Sequence, residues 1–164
     1  MQEMELLGVR VEMPSNAPMV LLRERSGGGR TVQIFIGATE ATAIALALDG
    51  VDTPRPMTHD LLAEVLGNLD VELSAVVVTE LRDKTFFAEL HLRRQGQGGE
   101  PIVVSARPSD AVAVAVRTGT SIYAAEEVIA EAGYTEDADD DGPEEVVEEF
   151  KEFLDTISPE DFED

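Results

Sequence analysis

At 164 residues, 43% of them hydrophobic, the chain is long enough for one ordinary domain with its own core, plus a tail. It has no cysteine, which excludes disulfides, thiolate zinc sites and thiol catalysis, and its longest apolar runs are too short to span a bilayer. The formal net charge of −22 is unevenly spread, with −14 on residues 135–164 and only −8 on residues 1–134, so nucleic-acid binding cannot rest on simple charge attraction.

The first 36 residues read as strands. Residues 5–13 mix polar and apolar positions, Pro14-Ser15-Asn16 makes a turn, and residues 19–24 are a second apolar stretch. Ser26-Gly27-Gly28-Gly29 leads into residues 31–36, where β-branched side chains and Phe35 favour a strand. The Ala-rich run 41–48, closed by Asp49-Gly50, predicts a helix with a glycine stop. Thr53-Pro54-Arg55-Pro56 suits neither a regular helix nor a central strand. Thr58 is then expected to cap a helix through Leu69, with Leu62, Val65, Leu66 and Leu69 on its buried face.

Residues 71–81 predict a long strand, Arg82-Asp83-Lys84 a turn, and residues 85–92 the returning hairpin partner. A glycine-rich loop at 96–99 precedes a strand at 102–105. Pro108 or Ser109 opens a second Ala-rich helix that stops near Gly119. A short strand at 121–124 and a helix at 126–132, ended by Gly133, complete the domain. The order predicts one α+β domain over residues 1–134, a mixed, mainly antiparallel sheet flanked by about four helices. Residues 135–143 read as an acidic linker. Residues 144–164 read as an acidic amphipathic helix carrying Val146, Val147, Phe150, Phe153, Leu154 and Ile157. The acidic N-terminus, with no long apolar stretch after it, suits a cytoplasmic protein without membrane association.

One internal echo links the two Ala-rich helices. Thr39-Glu40-Ala41-Thr42-Ala43-Ile44-Ala45-Leu46 matches Ser109-Asp110-Ala111-Val112-Ala113-Val114-Ala115-Val116 at a constant offset of 70. In each, the Ser or Thr is expected to cap the helix, the next residue places a carboxylate at its positive end, and alanines allow close packing. The echo describes either two similar strand-to-helix corners or chance similarity in Ala/Val-rich sequence.

Two segments concentrate reactive chemistry. Pro54-Arg55-Pro56-Met57-Thr58-His59-Asp60 sets an arginine, a histidine and a carboxylate at a helix N-terminus, where anions are favoured. Arg107-Pro108-Ser109-Asp110 repeats that composition. Each is also compatible with an ordinary capped helix start carrying a local ion pair. Phosphodiester hydrolysis calls for carboxylates for metal and cations for phosphate in one place, which favours two such corners over one. On chemistry alone, His59, Asp60 and Asp110 are the catalytic candidates and Arg55, Arg107 and Ser109 the phosphate-binding ones. Asp60 and Asp110, with Glu40 as a third ligand, would hold a divalent metal such as Mg or Mn. His91 reads as a surface or pairing residue, and the basic clusters Arg23–Arg30 and Arg93-Arg94 as loop solubilisers.

Ile36-Gly37 with Glu40-Ala41 and Ala43-Ile44-Ala45, Pro54-Arg55-Pro56-Met57-Thr58-His59-Asp60-Leu61, Ala106-Arg107-Pro108-Ser109-Asp110-Ala111-Val112-Ala113 and Ile122-Tyr123 closely resemble the bifunctional nuclease family. The resemblance implies nuclease activity on DNA and RNA, and makes nucleic acid the expected substrate. The other reading is a non-catalytic module that binds anions or proteins and recruits a partner through its acidic tail. Strand edges and the amphipathic C-terminal segment make a homo-oligomer, most simply a dimer, the expected assembly.

Overall fold

The computed structural model describes residues 1–96 and 98–135. The acidic linker beyond residue 135 and the helix expected over 144–164 therefore lie outside the described residues. The strands are β1 (Gln2–Glu12), β2 (Ala17–Glu24), β3 (Thr31–Phe35), β4 (Val71–Arg82), β5 (Thr85–Arg94), β6 (Ile102–Ala106), β7 (Ile122–Ala124) and β8 (Gly133–Tyr134). The helices are α1 (Ala38–Leu48), α2 (Thr58–Asn68), α3 (Pro108–Thr118) and α4 (Glu126–Ala132). The result is the expected α+β domain.

All eight strands form one sheet in the order β6-β5-β4-β7-β1-β2-β3-β8, and its pairings are antiparallel except that of β4 with β7. The β4–β5 hairpin closes on Arg82 opposite Thr85, with Asp83 and Lys84 both at positive φ (51° and 61°). That backbone matches the twist of the flanking strands, and aspartate tolerates it better than most residues.

Packing follows the alternation of apolar side chains. Leu73, Val76 and Val78 of β4 and Ala88, Leu90 and Leu92 of β5 share one core with Ala111–Ala115 of α3 and with Ala41, Ile44 and Ala45 of α1. The alanines let α1 and α3 lie against one another, α1 over β1 and β2 and α3 over β4 and β5. β2 is buried on both faces, Val20 and Leu22 in this core and Met19 and Leu21 at the alternate positions.

Three local expectations are corrected. Thr58 is the first residue of α2 rather than its cap: Met57 occupies the cap position, and its backbone N–H donates to Asp60 Oδ2 at 2.9 Å. Thr39 and Ser109 likewise lie inside α1 and α3, whose cap positions are held by Gly37 and Arg107. The apolar stripe of α2 is not buried. Leu62, Val65 and Leu69 are exposed along with Leu61, only Leu66 packs against the core, and His59 is the helix's one fully buried residue. Periodicity marks an apolar face but does not supply anything to cover it. Finally, Arg30 is no loop solubiliser. It donates to buried Glu24 through Nε (3.0 Å) and Nη2 (2.9 Å), bonds that outweigh burial and hold that carboxyl below its ordinary range.

Candidate functional site

Each of the first three helices carries a carboxylate at its third position: Glu40 in α1, Asp60 in α2 and Asp110 in α3. There a negative charge meets free backbone N–H groups and the positive end of the helix dipole. Because α1 and α3 pack together and α2 lies against α3, these helix starts are joined by two hydrogen-bonded networks.

In the first network Arg107, at the cap position of α3, is the hub. Its Nε donates to Asp110 Oδ2 at 2.8 Å, and its Nη2 donates to Asp110 Oδ1 at 3.2 Å and to Glu40 Oε1 at 2.8 Å. His59 Nε2 lies 2.9 Å from Asp110 Oδ1. Partial burial works against ionisation of Asp110, but the bonds from Arg107 and His59 outweigh it and hold the carboxyl below its usual range. Asp110 is thus an acceptor, which makes His59 Nε2 the donor and directs exchange of the ring's other proton to Nδ1. Both carboxylates push the Arg107 guanidinium further toward its charged form, yet its side chain remains 65% exposed. Gly37, at the cap position of α1, allows this arrangement, since a Cβ there would run into the folded-back Glu40 carboxylate.

The second network turns on Arg117, in the last turn of α3, a residue the sequence reading passed over. Its Nε donates to Asp60 Oδ1, its Nη1 to the Ala113 carbonyl at 2.8 Å and its Nη2 to the Ala43 carbonyl at 3.0 Å. Asp60, raised by burial but lowered more strongly by Arg117 and the Met57 N–H, stays ionised below its ordinary range. The first turn of α2 therefore lies across α3, His59 reaching one way to Asp110 and Asp60 the other way to Arg117. The missed signal was spacing: Arg117 stands seven residues after Asp110, two turns on along the same helix face.

Of the expected site residues, His59, Asp110, Arg107 and Glu40 come together, and Asp60 sits beside them in the separate Arg117 network. Ser109 is buried at 6% exposure, and its hydroxyl has no partner among the described residues. Arg55 is exposed on the loop before α2, with its guanidinium likewise unpartnered among the described residues. Asp60, Asp110 and Glu40 do not gather as a metal site. Among the described residues no group of three or more His, Asp or Glu side chains is placed to hold an ion. Each of the three carboxylates faces a guanidinium instead. The arrangement does not fit a resident divalent cation. His91 pairs with Glu89 on β5, away from this cluster.

The fold and this helix-start cluster define a single α+β domain with an arginine-clamped histidine–aspartate pair. The bifunctional nuclease domain model matches residues 20–137, and the chain belongs to that family. An uncharacterized protein of Mycobacterium tuberculosis is 45% identical over 168 residues, covering 99% of this chain and 98% of its own. Bifunctional nuclease 1 of Arabidopsis thaliana is 28% identical over 100 residues, 61% of this chain but only 31% of the plant protein. Bifunctional nuclease 2 of the same plant is 27% identical over 107 residues, 64% of this chain and 32% of its own length. No helix among the described residues is long and apolar enough to cross a membrane.

Proposed function

We propose that the domain hydrolyses phosphodiester bonds of DNA or RNA at the His59–Asp110–Arg107 cluster. The carrying observation is the 2.9 Å contact of buried His59 with an aspartate that Arg107 also clamps. Asp110 orients the imidazole, as a base-orienting carboxylate does. The exposed guanidinium of Arg107 takes a non-bridging phosphate oxygen, and Arg55 and the Ser109 hydroxyl supply further contacts. Water attacks phosphorus as the ester P–O bond breaks. His59 accepts a proton from the attacking water, and a proton passes to the departing oxygen, leaving a phosphomonoester and an alcohol. Family membership, with relatives named as nucleases, supports this reading.

A second reading has its own support. The two networks hold three carboxylates, Glu40, Asp60 and Asp110, against the guanidiniums of Arg107 and Arg117. An excess of acid suits a module that binds a protein better than one that holds a polyanion. Cleavage of single-stranded DNA and RNA by protein free of host nucleases separates the two. The phosphodiesterase reading expects turnover that falls at least about a hundredfold in His59→Ala and Asp110→Asn, with the fold intact by circular dichroism. Absence of wild-type cleavage, with or without added Mg or Mn, favours the binding module. Wild-type levels in both variants would instead place the activity elsewhere.

A further inference from the structure

We propose that the free edge of β6 is a dimer interface at which two copies of this chain join their sheets through an antiparallel β6–β6 ladder. β6 ends the strand order and pairs only with β5 among the described residues, so its outer backbone groups have no sheet partner there. Ile102, Val103 and Val104 are 44%, 49% and 41% exposed, and they point to alternating faces of the sheet. The strand contains no charge, no internal proline and no bulge in its register with β5, the usual devices that keep a sheet edge from pairing. The opposite edge, β8, is only two residues long.

A twofold axis through Val104 uses the whole strand. Ile102 then faces the partner subunit's Ala106, Val103 faces the partner subunit's Ser105, and Val104 faces the partner subunit's Val104. Directly opposed residues in such a ladder share a face. Ile102, Val104 and Ala106 pair with Leu92, Leu90 and Ala88, which belong to the main core, so the apolar layer continues across the join.

Pairing about that axis is self-complementary along an uncharged strand and carries the core layer of each subunit into the other, which is what selects a second copy as the occupant. The pairing also places the partner's loop 98–101 against the cap residue of α3, so each candidate site acquires a neighbour from the other chain. The inference does not depend on the phosphodiesterase reading.

The full chain tests it. Sedimentation at physiological salt and micromolar to submillimolar concentration should give twice the 17.7 kDa chain mass. Val103→Lys, at a side chain already exposed in the single chain, should sediment as a monomer with unchanged circular dichroism. The chain has no cysteine, so Val104→Cys introduces a single thiol at the axis. A short bis-maleimide should convert it to covalent dimer, whereas Leu62→Cys on α2 should stay uncrosslinked. A monomeric wild type, a dimeric Val103→Lys, or crosslinking through position 62 rather than 104 overturns the proposal.

Discussion

Replacing Arg117 by Met tests whether the second network holds α2 in place. Methionine keeps most of the apolar stem but removes the donors to Asp60, Ala113 and Ala43. Hydrogen bonds to charged groups contribute about 1.5–3 kcal/mol each, and neutral ones about 1 kcal/mol. Two discounts apply. Asp60 is 36% exposed and regains water, while the two carbonyls belong to helices whose own ladders can already engage them. The expected loss is about 2–3 kcal/mol. With an m-value of about 1–3 kcal/mol/M, the urea midpoint should drop by roughly 0.7–3 M. Protein concentration must be matched between samples, because any association of copies adds to apparent stability. Asp60→Asn in the same background should show coupling of about 1–2 kcal/mol with Arg117. A loss below about 0.5 kcal/mol, or strictly additive single effects, would refute the view that this arginine ties α2 to α1 and α3.

Gly37→Ala should displace the Glu40 carboxylate at a stability cost below about 1 kcal/mol, since the cap backbone (φ −74°, ψ 154°) suits alanine. Freed of one carboxylate, Arg107 should bind a short oligonucleotide more tightly, as read by fluorescence titration. Unchanged affinity would mean that Glu40 does not compete for Arg107. Acid should destabilise the domain through Asp60 and Asp110, whose folded pKa values are depressed. That contribution is complete above the unfolded carboxylate pKa of about 3.9 and is lost as pH falls through the lower folded values. In Asp110→Asn the melting temperature should fall less steeply below that pH than in wild type; parallel profiles would contradict the assignment. Deleting residues 135–164, which hold most of the net charge, should strengthen nucleic-acid binding most at low ionic strength. Equal affinity of both forms across a salt series would leave the segment with no part in that binding.

Much of the fold was legible because its causes are local. Alternation at 85–92 marks a strand whatever lies beside it, and Gly119, at φ 65°, ends α3 where the sequence indicated. The helix starts were legible only to within about three residues, and the echo at offset 70 reflects two carboxylates at equivalent third positions. Partnership was not legible. Arg107 meets Glu40, 67 residues away, and Arg117 meets Asp60, 57 residues away, only because alanine faces let α1 and α3 pack closely with α2 laid across. Sequence shows that Asp60, Asp110 and Glu40 are acids at helix starts; tertiary packing decides that guanidiniums face all three.

The exposed residues carry the same lesson from the other side. The apolar stripe of α2 and the Ile102-Val103-Val104 run were correctly assigned to a helix and a strand. Periodicity reports which side chains share a face, because that depends on the local backbone repeat. Burial depends on what stands opposite, and for β6 that is set by its place at the end of the sheet order. Local sequence determined the elements and the charges at their ends. Only the tertiary structure decided which charges meet and which apolar faces remain uncovered, because both depend on elements distant in the chain.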